Sequence, residues 1–366
     1  MLIKKRIGFF ITRSDTIGGA QAHVLELLEY FDNKGYEVFL ISPGYGVLVS
    51  RATALGIETY SIKSLRRNIS FINDVKAFFE YCALVKGLKL SAISVHSFKA
   101  GLISRVASIF TPGKVYFTVH GLSHIRTANP ILKLCYKYVE KFTSYLDTRT
   151  IYVSASDLEY SKENISGNIS NASLIHNGVR DSVKKSRSVK SEGSSIVIVC
   201  VARFQEPKDF VTLINAIKLI ETLDWKLKLV GDGVDRAKVV NIVDENNLSS
   251  RVEFLGEINN VDEVLHQSDI FVLSSKSEGF PLSVLEAMRS SLPVVASNVG
   301  GVSESVKFNT GFLFSSGDSL GLSKCLAKLI LDVGLREKFG INARLLYEKE
   351  FDASLMCSKY LNLLDD

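Results

Sequence analysis

Two carboxylates stand eight positions apart in SKSEGFPLSVLEAM (Ser275 to Met288), Glu278 before a Gly-Phe-Pro turn and Glu286 after it. Pro281 suits the first position of a helix, where the N–H it lacks would have no partner in any case. Glu278 then lies in the loop at the helix mouth and Glu286 about one turn in. Between them the backbone N–H groups of Leu282, Ser283 and Val284 point outward. A helix N-terminus favours anions, and carboxylates accept hydrogen bonds from hydroxyls. The pattern therefore suits a ligand carrying both phosphates and hydroxyls. The plainer alternative is a surface helix in which Glu286 pairs with Arg289 three residues on.

Other segments offer matching chemistry. In VARFQEPKDF, Arg203 and Lys208 lie five positions apart around Pro207. Arginine presents a planar fork to phosphate oxygens and lysine a mobile point charge. The alternative is two surface cations. In TRSDTIGGAQAH, Gly18 and Gly19 follow a strand and precede a helix, so the backbone there can approach a phosphate closely, or the pair is only a flexible turn. His120 closes the strand-like TVHG and can hydrogen-bond a sugar or carry a proton; a structural histidine is the competing reading. LVGDG (Leu229 to Gly233) and VGG (Val299 to Gly301) are further glycine turns.

These residues need a frame, and the hydrophobic pattern supplies one. RIGFFI, YEVFLIS, SAISV, KVYFTV and TIYV are short apolar runs with helical patterns between several of them. Strands buried on both faces of a parallel sheet read this way. HVLELLEYF places Val24, Leu27, Leu28 and Phe31 on one helical stripe. A second series begins with SIVIVCVA and continues through KLKLVG, VEFLG, DIFVLS, LPVVAS and GFLF, with helical segments at 209–223 and 318–332. The polar stretch 181–195 between the series reads as an exposed linker. The expected fold is α/β, with two Rossmann-like doubly wound domains facing across a cleft. They span 1–180 and 196–350, and 351–366 forms a last amphipathic helix that packs back on the first domain.

The 366 residues are 46% hydrophobic, and the five cysteines are scattered, with no CxxC and no Cys/His cluster. That argues against a disulfide scaffold and a zinc site, and fits a reducing compartment. The opening MLIKKRIGFFITRSD falls short of the about 7–15 apolar residues of a secretory segment, and no run approaches the roughly 18 of a membrane span. A cytoplasmic protein is expected. Residues 1–180 carry 22 Lys and Arg against 13 Asp and Glu, and within 51–150 the counts are 15 and 5. Such an excess suggests an anionic partner. In PILKLCYKYVEKF, Lys133, Lys137 and Lys141 recur every four residues, which predicts a basic helical stripe against an anionic membrane; a solvated helix face is the alternative. No aromatic-rich basic motif of the kind that holds single-stranded nucleic acid is present.

Taken in order along the chain, the Gly-Gly loop, strand-end histidine, Arg/Lys pair, GDG turn, paired glutamates and GG turn strongly resemble the retaining glycosyltransferases of family four, which have the two-Rossmann GT-B architecture. The resemblance covers nearly the whole chain. It is most specific in DIFVLSSKSEGFPLSVLEAMRSSLPVVASNVGG, with support from VARFQEPKDFVTLINAI and GGAQAHVLELLEYF. It implies that Arg203 and Lys208 hold the donor diphosphate, that Glu286 binds the ribose hydroxyls and that Glu278 contacts the donor sugar. Leu282 and Ser283 would line the phosphates at the helix mouth. Gly18 and Gly19 would touch them from across the cleft, and His120 would sit near the transferred sugar.

The implied reaction moves a sugar from a nucleotide-diphosphate donor, UDP-sugar favoured and GDP-sugar possible, to a hydroxyl of a glycan or lipid-linked saccharide, with retention. No cofactor and no metal is expected, because no DxD-like motif sits at a strand end and cationic groups must then stabilise the leaving diphosphate. Cell-surface polysaccharide or lipopolysaccharide assembly is the implied setting, with peripheral contact at the inner membrane face. A nucleotide-sugar epimerase on the same fold and a catalytically idle binding subunit are the alternatives. Gln21 where relatives often carry Glu, SSLP in place of SGLP, and Arg180 where an acidic residue is common depart from the family pattern. They bear on acceptor choice more than on activity.

Overall fold

The computed structural model describes residues 5–126, 129–146, 148–181 and 195–365; all but the ends of the expected 181–195 linker lie outside them. The chain divides into two compact units, Met1–Gly178 with Ala353–Asp366, and Val179–Asp352.

The first unit holds strands β1 (Arg6–Phe10), β2 (Glu37–Ser42), β3 (Glu58–Ser61), β4 (Ala92–Val95), β5 (Lys114–Val119), β6 (Arg149–Tyr152) and β7 (Ala172–Leu174). Helices α1 (Gly19–Asn33), α2 (Val47–Ala54), α3 (Phe71–Leu88), α4 (Phe98–Ala107), α5 (Ser123–Arg126), α6 (Pro130–Thr143) and α7 (Ala155–Asn164) alternate with them. The second unit holds β8 (Ile196–Val201), β9 (Trp225–Val230), β10 (Val252–Gly256), β11 (Ile270–Leu273), β12 (Val294–Ser297) and β13 (Gly311–Phe314). Its helices are α8 (Phe210–Lys218), α9 (Arg236–Glu245), α10 (Val261–His266), α11 (Leu282–Arg289), α12 (Val302–Ser305), α13 (Ser319–Leu331) and α14 (Val333–Glu350). The last helix, α15 (Ala353–Asp365), belongs to the first unit.

Both sheets are parallel, in the orders β3-β2-β1-β4-β5-β6-β7 and β10-β9-β8-β11-β12-β13. Each order reverses beside its first strand, between β1 and β4 and between β8 and β11. Loops leaving the carboxyl ends of the two strands at such a point diverge and open a crevice for ligands. Burial on both faces explains the continuous apolar runs: Ile7, Phe9 and Phe10 of β1 and every residue of β11 are buried. In the first unit, α3 and α4 cover one face of the sheet while α1, α2 and α15 cover the other. The stripe Val24, Leu27, Leu28 and Phe31 is buried as its spacing requires. Helix α15 enters this core through Met356, Cys357, Tyr360 and Leu364, and Tyr360 Oη lies 3.0 Å from Thr118 Oγ1 on β5.

Candidate functional site

The reversal point of the second sheet gathers the second-unit residues singled out by sequence. Arg203 and Lys208 lie in the loop after β8, and Glu278 in the loop after β11. Backbone hydrogen bonds lace these loops together: Asp209 N–H donates to Ser274 O at 2.9 Å and Lys276 N–H to Pro207 O at 2.8 Å. The Phe204 ring stacks on Phe210 with centroids 4.2 Å apart, anchoring the loop that carries Arg203. The GDG turn after β9 joins the frame, since Phe204 N–H donates to Asp232 O at 2.9 Å. A Cβ on Gly231 would stand 2.1 Å from Ala202 O, so only glycine allows this approach. The turn after β12 closes onto the same loops. Gly301 N–H donates to Gly279 O at 2.8 Å, and Gly300 (φ +53°) would drive a Cβ to 1.8 Å from Glu278 O.

Within this frame Lys208 Nζ donates to Glu278 Oε1, and the Ser275 hydroxyl donates to the same oxygen at 2.6 Å. Both side chains are largely buried. The sequence offers these two as separate contacts, one for phosphate and one for sugar. Their pairing over 70 positions has no local signal and was missed.

Helix α11 begins one residue later than expected. Pro281 is its N-cap, with extended ψ of 122°, and Leu282 is the first helical residue. Leu282, Ser283 and Val284 thus occupy the first three helical positions, whose N–H groups have no intrahelical partner. Glu286 is half-buried one turn on. The alternative pairing with Arg289 is not made: that guanidinium bonds Asp262 and the Arg180 carbonyl. Burial raises the Glu286 carboxyl pKa, opposed by the nearby Arg289 charge and reinforced by Asp262. A half-buried carboxylate of this kind is suited to accept hydrogen bonds from a diol.

The first unit places Gly18 and Gly19 after β1, at its own reversal point, and His120 one strand further on, after β5. Gly18 is the N-cap of α1 and Gly19 its first residue. Gln21 Oε1 accepts from Gly18 N–H at 3.1 Å while its Nε2 donates to Arg13 O at 3.1 Å. A glutamate could perform only the first of these tasks, which gives the Gln21 departure a local reason. His120, just past β5, is half-buried against His23 of α1 and His96, just past β4. Sequence reading singled out only His120, because the other two lie 97 and 24 positions away on separate elements.

Helix α6 corrects the expected basic stripe. Lys133, Lys137 and Lys141 are half-buried on its flank, and Lys137 Nζ donates to Asn164 Oδ1 at 3.3 Å. The outward face is apolar, with Ile131 77% and Phe142 65% exposed, and Leu134 and Tyr138 also outward. The rotation is set from inside. Arg105, fully buried, donates from Nη1 and Nη2 to the two Glu140 carboxylate oxygens at 2.9 and 3.1 Å. Tyr136, one turn before Glu140, packs on Phe98 with centroids 5.2 Å apart. No described helix is long and apolar enough to cross a membrane.

The family described as Glycosyl transferases group 1 matches residues 181–346, and Glycosyltransferase Family 4 matches residues 17–183. The chain is 30% identical over 319 residues to the UDP-Gal:alpha-D-GlcNAc-diphosphoundecaprenol alpha-1,3-galactosyltransferase of Escherichia coli, covering 82% of each chain. It is 27% identical to the capsular polysaccharide biosynthesis glycosyltransferase CapM of Staphylococcus aureus, covering 82% of this chain and 83% of that one. Among solved structures, sucrose-phosphate synthase from Thermosynechococcus elongatus superposes with a TM-score of 0.86 at 20% identity, covering 98% of each chain. HepE of Anabaena in complex with UDP and glucose gives 0.83 at 17% identity, covering 98% of this chain and 99% of that one. These structures share the fold of two parallel-sheet α/β domains.

Proposed function

The chain belongs to glycosyltransferase family 4, and from that premise we propose that it moves a hexosyl or N-acetylhexosaminyl group from a UDP-sugar to a hydroxyl of a lipid-linked saccharide during cell-surface polysaccharide assembly, with retention of anomeric configuration. The observation that carries this reading is the reversal point of the second sheet. There the Lys208–Glu278 pair joins the loop that also carries Arg203 to the loop that leads into α11, and Glu286 lies half-buried one turn into that helix. In the proposed roles, Arg203 and Lys208 hold the diphosphate with the N–H groups of Leu282 and Ser283. Glu286 accepts from the ribose hydroxyls, and Glu278 accepts from the donor sugar once Lys208 turns to phosphate. Cationic groups aimed at the departing diphosphate lower the barrier by electrostatic stabilisation, without a catalytic metal. Gly18, Gly19 and His120 are assigned to donor contact by the family resemblance. The Escherichia coli relative, named for a UDP-sugar donor and a diphosphoundecaprenol-linked acceptor, supports the choice of substrate classes.

Peripheral membrane contact is part of the same proposal, made by the outward apolar face of α6. Interfacial helices bury such a face near the headgroups, and the flanking lysines add about 1 kcal/mol each near anionic lipid. The test is a panel of UDP- and GDP-sugars, each incubated with the protein alone and with a lipid-linked saccharide in anionic vesicles. Release of nucleoside diphosphate only when acceptor is present, together with a product extended by one sugar, is expected. Release from donor alone, with an altered sugar and no acceptor product, would favour an epimerase instead.

A further inference from the structure

We propose that His23, His96 and His120 form a binding site for a divalent transition-metal ion, zinc in the first instance. One ring nitrogen from each lies within 4.8 Å of the other two. His96 Nδ1 and His120 Nε2 face each other at 3.1 Å. His23 Nδ1 lies 3.0 Å from Asn177 Oδ1, an oxygen that only accepts. Nδ1 therefore carries the proton, and Nε2 keeps a lone pair. That Nε2 is buried without a hydrogen-bond partner. His96 Nε2 lies 2.8 Å from Ser94 Oγ, which leaves Nδ1 for the ion. Two of the three imidazoles thus spend the far nitrogen on a neutral acceptor and turn the near one inward, the second-layer arrangement that orients metal-ligating histidines.

Burial lowers the pKa of His23 to about 4 and holds His96 and His120 well below the ordinary histidine range. The facing pair in the empty site is a hydrogen bond, so one of the two nitrogens carries a proton there; an ion takes its place, and the His120 ring then carries its proton on Nδ1. Imidazole suits zinc, copper and nickel. With Zn–N bonds of about 2.0–2.1 Å, tetrahedral ligand nitrogens stand about 3.3–3.4 Å apart. The 3.1 Å pair is near that spacing, and the wider separation closes by a small ring movement, for which half-buried His120 has the most room. The ion would tie α1 to the ends of β4 and β5 and keep a fourth position for water. Arg203, Lys208, Glu278 and Glu286 belong to the other unit; His120, assigned above to donor contact, serves as a ligand when an ion is bound, and because the readouts below need no donor, the two assignments fail separately.

Untagged, chelator-treated protein titrated with cobalt(II) alone should develop the visible ligand-field bands of a four-coordinate ion, saturating at one ion per chain. Zinc alone should displace the cobalt and raise the unfolding temperature, as a ligand specific to the folded state must. His23→Gln should abolish the bands. Asn177→Ala keeps all three ligands but loses the orienting acceptor, and should weaken zinc binding by about 10- to 100-fold. Absence of both bands and zinc-dependent stabilisation in the wild type would overturn the proposal. So would bands in His23→Gln equal to those of the wild type, or unchanged zinc affinity in folded Asn177→Ala.

Discussion

Lys208→Ala is expected to weaken nucleoside-diphosphate binding by about 10- to 150-fold, corresponding to a charge-assisted hydrogen bond of about 1.5–3 kcal/mol. The ammonium is held at the reversal point of the second sheet by the backbone pairing of its loop with Ser274–Lys276, and its bond to Glu278 fixes where it points. Arg203→Ala should lose affinity on the same scale, because the two cations share one diphosphate. Neither substitution removes a buried apolar group, so the fold should survive. Calorimetric titration of UDP, with circular dichroism to check folding, measures the effect. Unchanged affinity in both variants would remove this loop from the donor site.

Glu140→Ala is expected to lower unfolding free energy by about 3–5 kcal/mol, because it leaves the fully buried Arg105 guanidinium without its carboxylate. Arg105 also lies over the Phe117 ring, 4.1 Å from its centroid, so the charge is enclosed by the core between α4, α6 and β5. Replacing both partners together, Arg105→Met with Glu140→Leu, should recover much of the loss, since burying two apolar side chains avoids desolvating two charges. Urea unfolding of the three variants gives the comparison. A Glu140→Ala chain as stable as the wild type would mean that this pair does not fix α6.

The two predictions also mark where sequence reading ends. The central strands announce themselves as apolar runs because both of their faces are covered. The edge strands β3 and β7, with Glu58, Thr59 and Ser61 in one and Ser173 in the other, are too short and polar to stand out and were not anticipated. The loops carrying Arg203, Lys208, Glu278 and Glu286 are legible because ligand-binding chemistry and turn chemistry sit side by side at strand ends. Pairings made by folding are not. The Lys208–Glu278 bond and the histidine cluster each join residues on separate elements, and no local spacing signals them. The lysines of α6 do recur every four positions, but helical period alone does not say which stripe faces outward. The buried Arg105–Glu140 pair decides that, and it turns the apolar face to the surface.

Titration of UDP into the Glu286→Ala and Glu278→Ala variants bears most directly on the proposed donor site. Glu286→Ala should weaken UDP by about tenfold or more, the worth of roughly 1.5 kcal/mol from hydrogen bonds between the ribose hydroxyls and a carboxylate. Glu278→Ala should bind UDP as tightly as the wild type or more tightly, since it frees the Lys208 ammonium from its partner, while sugar transfer falls. Equal loss of UDP affinity in the two variants, or none in Glu286→Ala, would contradict the assignment of ribose to one carboxylate and sugar to the other.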